Sequence, residues 1–81
     1  MPRVSVKLDK DRQLVLLGEA VRARRKALAM SQEALADYAG IDRSHMGKIE
    51  RGERNVTLLN LVRITEAMHC KPSEMLANAG L

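Results

Sequence analysis

Arg43, Ser44, Lys48 and Arg51 are the residues of this chain best placed to do chemistry, and that chemistry is recognition. Arg offers a planar fork of donors, Lys a point charge, and Ser a hydroxyl that both donates and accepts. All four lie in the stretch Gln32–Arg51, where Met46 and Ile49 mark an apolar inner side and leave Arg43, Ser44, Gly47, Lys48 and Arg51 facing outward. A competing reading is an ordinary helical hairpin with a solvated basic face. Catalytic patterns are missing: His45, His69 and Cys70 have no nucleophile–base spacing. His69 and Cys70 are neighbours in the chain, so they point apart and would chelate one metal poorly. Cys70 reads instead as a small apolar side chain. Neither enzymatic activity, nor a metal, nor a cofactor is expected.

The elements that must position these residues are written around them. Ser31 suits an N-cap, Glu33 places negative charge in the first turn, and Leu35, Ala36 and Ala39 line one helical face. Gly40 follows where a helix ends in the left-handed conformation, and Asp42 can cap a second helix. That helix buries Met46, Ile49 and the stem of Glu50. Ala36 is small where the second helix must cross closely. Two short helices joined by a Gly-containing turn form a helix-turn-helix arrangement.

At 81 residues the chain allows one small domain, without room for a separate ligand-binding domain, and no small-molecule effector is expected. A net charge of +4 and a pI near 9.7 permit a polyanionic partner. One Tyr and no Phe or Trp make the core aliphatic and Met-filled, and argue against readers that stack single-stranded bases on aromatic rings. No apolar run is long enough to span a membrane, and no secretory leader is visible. A single Cys excludes an intramolecular disulfide and fits a reducing cytoplasm.

Taken in order, residues 1–9 alternate Val4, Val6 and Leu8 with Arg3, Ser5 and Lys7. They read as a basic arm, or as a strand paired across a dimer or an arm reaching along a partner. Residues 10–81 form the domain. A first helix is expected from about Asp11 to Leu28, with Leu14, Leu17, Val21 and Leu28 inward and Gly18 allowing a close approach. Arg22, Arg24 and Lys26 read as solvated. Arg25 falls on the apolar stripe and needs a partner, which we assign to Glu50; the alternative is an Arg that reaches the surface. Gly52 ends the third helix. Thr57 caps a fourth over about Leu58 to Met68, with Leu58, Leu61, Ile64 and Met68 inward. Leu59 and Val62 widen its apolar arc. Pro72 opens a short fifth helix carrying Met75 and Leu76. Leu59, Val62, Met75 and Leu76 are more apolar surface than a monomer should expose, which points to a dimer interface through helices 4 and 5.

Gln32, Ala36, Gly40, Met46 and Ile49 at this spacing resemble the phage repressor and Cro type of helix-turn-helix domain. The segment Glu50-Arg51-Gly52-Glu53-Arg54-Asn55-Val56-Thr57-Leu58 resembles controller proteins of restriction–modification systems. The resemblance covers about residues 14–77. It implies an all-α, compact five-helix domain that binds a palindromic operator on double-stranded DNA as a homodimer. It also implies an Arg25–Glu50 ion pair between helices 1 and 3. Carried over by position, Arg43, Ser44 and Lys48 would read bases, and Gln32, His45, Arg51, Arg54 and Asn55 would meet the backbone or groove edge. This chain departs from the family pattern at Thr65, where Ala is preferred, at His69, where Gly is usual, and at Lys71, where a capping Ser is common. An alternative is the antitoxin half of a toxin–antitoxin pair, a protein-interaction module on the same fold that also binds DNA.

Overall fold

The computed structural model describes residues 9–81, so the alternating stretch around Val4, Val6 and Leu8 lies outside the described residues. Among the described residues five helices follow one another: α1 (Gln13–Ala27), α2 (Gln32–Ala39), α3 (Arg43–Glu50), α4 (Leu58–Ala67) and α5 (Pro72–Asn78). The bundle packs α1 against α3 and α5, and α2 against α3 and α4. None of α2–α5 exceeds ten residues, short of what holds an isolated helix together in water, so their stability comes from packing and termini.

Those termini are well made. Ser31 accepts from the Ala34 amide at 2.9 Å, and Thr57 from Asn60 at 3.1 Å. At α1 the carboxylate of Asp9 accepts from the amides of Gln13 and Leu14, both at 2.8 Å, while Arg12 turns left-handed at φ 56°. The helix therefore starts at Gln13 rather than near Asp11, and Asp9, read above with the arm, is its cap. At α5 the side chain of Lys71 caps nothing; Glu74 accepts from the Lys71 amide at 3.2 Å, and Pro72 occupies the first turn.

Each helix closes with one left-handed residue, whose amide and the next one bond back to carbonyls of the last turn. For α2 these are Gly40 to Asp37 at 3.2 Å and Ile41 to Ala36 at 2.9 Å. Gly40 and Gly52 adopt this conformation without cost. Ala29 ends α1 and His69 ends α4 in the same way, at φ 56° and 57°, where a Cβ is crowded. His69 stands where the family resemblance expects Gly, and the backbone shows why. Arg24, read above as solvated, reinforces this terminus by donating from Nη2 to the Met68 carbonyl at 2.9 Å.

The core is built from Leu35, Met46, Ile49, Ile64, Met68 and Met75, all fully buried, with no aromatic side chain. Unbranched Met fills gaps that a ring would otherwise occupy. Thr65 is buried among them because its hydroxyl donates within α4 to the Leu61 carbonyl at 2.9 Å. Cys70 is half-buried, and burial pushes its thiol pKa up, away from the reactive thiolate.

Three apolar assignments are corrected. Leu28 is 38% exposed because it lies past the last residue of α1, where the stripe has already ended. Leu58 is 72% exposed because it opens the first turn of α4, ahead of the inward series Leu61, Ile64, Thr65 and Met68. Met75, assigned to a dimer surface, is 0% exposed. It and Leu76 are adjacent on a helix, so only one can point inward; Met75 does, and Leu76 sits at the core's edge.

The strained end of α4 yields a stability prediction. His69→Gly should raise stability by about 0.5–1 kcal/mol, because relief of left-handed crowding outweighs the extra freedom of the unfolded chain. His69→Ala retains the Cβ and should gain little. Denaturant titration of the three proteins checks this, and a loss for the Gly variant would mean that the imidazole contributes more than the strain costs.

Candidate nucleic-acid interface

α3 is fixed from behind before its outer face presents anything. Gly18 on α1 meets the end of α3 so closely that a Cβ there would sit 2.5 Å from the carbonyl oxygens of both Ile49 and Glu50. Two turns of α1 further on is Arg25, buried with Glu50. Its Nε donates to Glu50 Oε2 at 2.7 Å and its Nη2 to Oε1 at 2.9 Å, a bidentate pair. Nη1 donates to the Met30 carbonyl at 3.0 Å in the α1–α2 connection, and Gln32 Nε2 donates to Glu50 Oε1 at 3.2 Å. The hydrogen bonds to Glu50 hold the guanidinium pKa above its ordinary value against the opposing effect of burial. Among the described residues no buried side-chain nitrogen or oxygen lacks a hydrogen-bond partner.

The outer face starts at Asp42, whose Oδ2 accepts from the Ser44 amide at 3.1 Å, the His45 amide at 3.4 Å and the Ser44 hydroxyl. A cleft of about 500 Å³ brings together Gln32, Asp42, Arg43, Ser44, Gly47, Lys48 and Arg51. Five of the residues singled out in the sequence therefore share one cleft: Gln32, Arg43, Ser44, Lys48 and Arg51. His45 is half-buried and does not line it, and Arg54 and Asn55 are exposed beyond the end of α3 without lining it either. Arg51 is held by Glu53, with Nε to Oε2 at 2.8 Å, and its guanidinium keeps the Glu53 carboxyl below the usual carboxylate range.

Gly47, expected to face outward, is buried beneath the Arg51 and Gln32 side chains; a Cβ there would lie 3.1 Å from Arg51 Nη1 and 3.2 Å from Gln32 Oε1. Asp42 was read only as a cap, yet it lines the cleft. The signal for it was a carboxylate immediately before Arg43 and Ser44 at the helix start. Leu59 is 70% exposed, and Val62 and Leu76 are half-buried. A separate groove of about 930 Å³, lined among others by Leu28, Met30, Tyr38, Arg63 and His69, shares no residue with the cleft on α3. No described helix is long and apolar enough to cross a membrane.

Two short helices, capped by Ser31 and Asp42, joined through left-handed Gly40 and carrying an outward basic cleft, define a helix-turn-helix domain. Residues 21–75 match the helix-turn-helix family, and the chain belongs to that family. It is 39% identical over 66 residues to control protein C.SmaI of Serratia marcescens, covering 82% of this chain and 79% of that one. Control protein C.BamHI of Bacillus amyloliquefaciens is 40% identical over 63 residues, with 76% and 78% covered. The crystal structure of the restriction-modification controller protein C.AhdI from Aeromonas hydrophila superposes with a TM-score of 0.75 at 44% identity, covering 76% of this chain and 94% of that one.

The buried pair predicts strong coupling. Arg25→Met and Glu50→Leu should each cost about 3–5 kcal/mol, because the surviving charge is left buried and uncompensated. In the double variant most of that loss should be recovered. Urea unfolding of all four proteins measures the coupling; two small effects that simply add would mean that the pair contributes nothing to stability.

Proposed function

We propose that this protein is a sequence-specific regulator of transcription of the restriction–modification controller type, which binds a palindromic operator on double-stranded DNA as a homodimer. The observation that carries this reading is the cleft on α3. It presents Arg43, Ser44 and Lys48 outward, while Arg25, Glu50 and Gln32 fix the helix from behind. An α-helix fits the major groove, and a recognition helix enters it N-terminus first, so Arg43 leads and Lys48 follows about one turn later. Arg43 suits the O6 and N7 edge of guanine. Gln32 at the start of α2, with Arg51 and Arg54, suits phosphate contacts that fix register without reading sequence.

A helix of eight residues offers few base contacts, so useful specificity calls for two half-sites about 34 Å apart. The exposed apolar residues Leu58 and Leu59, continued by Val62 and Leu76, supply a surface for a two-fold partner along α4 and the edge of α5. Met75, buried in its own chain, takes no part.

Two measurements test this function. Arg43→Ala should cost about 1–3 kcal/mol on the operator and relax preference at one base pair, whereas Arg54→Ala should weaken all sequences alike and lower the salt slope by about one. Mobility shifts over a range of salt separate these outcomes, and equal losses on operator and random DNA for Arg43→Ala would remove it from base reading. Leu59→Glu should convert the dimer to a monomer in sedimentation without loss of helicity. A wild type that sediments as a monomer at tens of micromolar would exclude a stable preformed dimer.

A further inference from the structure

The entering end of α3 carries a hydrogen-bond polarity that its basic residues conceal. Arg43, Lys48 and Arg51 can only donate. Asp42, beside them in the same cleft, can only accept while ionised. The Ser44 hydroxyl and the amides of His45 and Ser44 stabilise that carboxylate and hold its pKa below the ordinary range, so it is ionised at neutral pH. A carboxylate has no proton to give, so in the contact between Ser44 Oγ and Asp42 Oδ2 the hydroxyl is the donor. That spends the one proton Ser44 owns, and only its lone pairs remain to face the cleft. A residue that reads from sequence as an ambiguous donor and acceptor is thereby committed to one sense.

Resting on the DNA-binding reading above, we propose that Asp42 and Ser44 form an acceptor-only reader that takes the exocyclic amino group of adenine or cytosine in the major groove. Each base pair shows acceptor atoms and one amino donor there, N6 of adenine or N4 of cytosine. Donor-only side chains read the acceptors and are blind to the amino group. An acceptor pair beside Arg43 reads the complementary half of the pattern. It also repels guanine O6 and N7 and thymine O4, so it discriminates by exclusion as well as by attraction.

Base analogues on a selected operator test the assignment. Wild type and Ser44→Ala are each used to select binding sites from random duplex DNA, and circular dichroism melting verifies that the variant folds. Ser44→Ala should lose preference at one or two base pairs and keep the rest. At those pairs, purine in place of adenine or 2-pyrimidinone in place of cytosine deletes the amino group. That deletion should weaken wild-type binding about 10-fold and Ser44→Ala binding by less than about twofold. Replacing N7 by carbon in 7-deazapurines at the same pairs should change neither. Sensitivity of the wild type to N7 with indifference to the amino group would mean that the hydroxyl turns away from Asp42 to donate, and overturns the assignment. Unchanged preference in Ser44→Ala also overturns it while leaving DNA recognition intact. A wild type that selects no sequence overturns both readings together.

Discussion

The orientation of α3 depends on one buried pair of charges. Arg25 and Glu50 are taken out of water together, and the bonds they make tie three parts of the frame to one another. The two guanidinium–carboxylate bonds join α1 to α3, the Met30 carbonyl ties in the α1–α2 connection, and Gln32 ties in the start of α2. Such a pair adds little net stability over well-packed apolar side chains, since desolvation consumes most of the Coulombic gain. Its value lies in direction. A planar fork meets a carboxylate in one plane, whereas apolar surfaces slide over each other at little cost. Gly18 adds the complementary restraint: with the α1 backbone lying against the Ile49 and Glu50 carbonyls, the end of α3 cannot be nearer, and the ion pair keeps it from being farther.

Gln32 is where this frame reaches the outer face. One end of its amide holds Glu50, and the other lies over the surface of Gly47, next to Arg51. Arg51 is in turn restrained by Glu53 beyond the helix end. A side chain at position 47 would press on both Gln32 and Arg51, so the smallness of that residue protects the link between the frame and the cleft. The outward view of Gly47 from helical periodicity was therefore right about direction and wrong about burial, because long neighbours fold over a residue that has no side chain of its own.

Much of the fold was legible because its signals are local. Ser31, Asp42 and Thr57 as caps and Gly40 and Gly52 as terminators carry their conformation in their chemistry. Arg25 was legible for another reason, as a charge placed on an apolar stripe, which makes sense only if a second charge answers it. What stayed hidden depends on neighbours. Ala29 and His69 give no sign of a left-handed backbone, since neither residue favours it. Asp9 caps α1 across three intervening residues, which no simple N-cap spacing announces. Leu28 and Leu58 continue an apolar period that the helix partners do not reach. Met75 and Leu76 were inseparable by composition, and only the docking of α5 chooses between them. In the cleft, the basic residues were visible by charge, while the acceptor role proposed for Asp42 and Ser44 rests on a proton whose position periodicity cannot supply.

The result is a division of labour along one eight-residue helix. Met46 and Ile49 are buried in the core and Glu50 in the ion pair, so changes there act on stability and helix angle. Arg43 is exposed and Lys48 half-buried, and neither belongs to the core. Side chains outside the core, caps and networks alter stability by only about 0.5 kcal/mol, so under the proposed DNA-binding reading these two would change base preference without changing how the helix is held. Asp42 breaks this separation, because the carboxylate that caps α3 is also the group that sets the hydrogen-bond sense of Ser44. Under the proposed reading, altering the base preference there would also disturb the helix start, whereas Arg43 is free of that constraint. Within this fold, the first position of the recognition helix is thus the one most open to new specificity, and its cap the one least open.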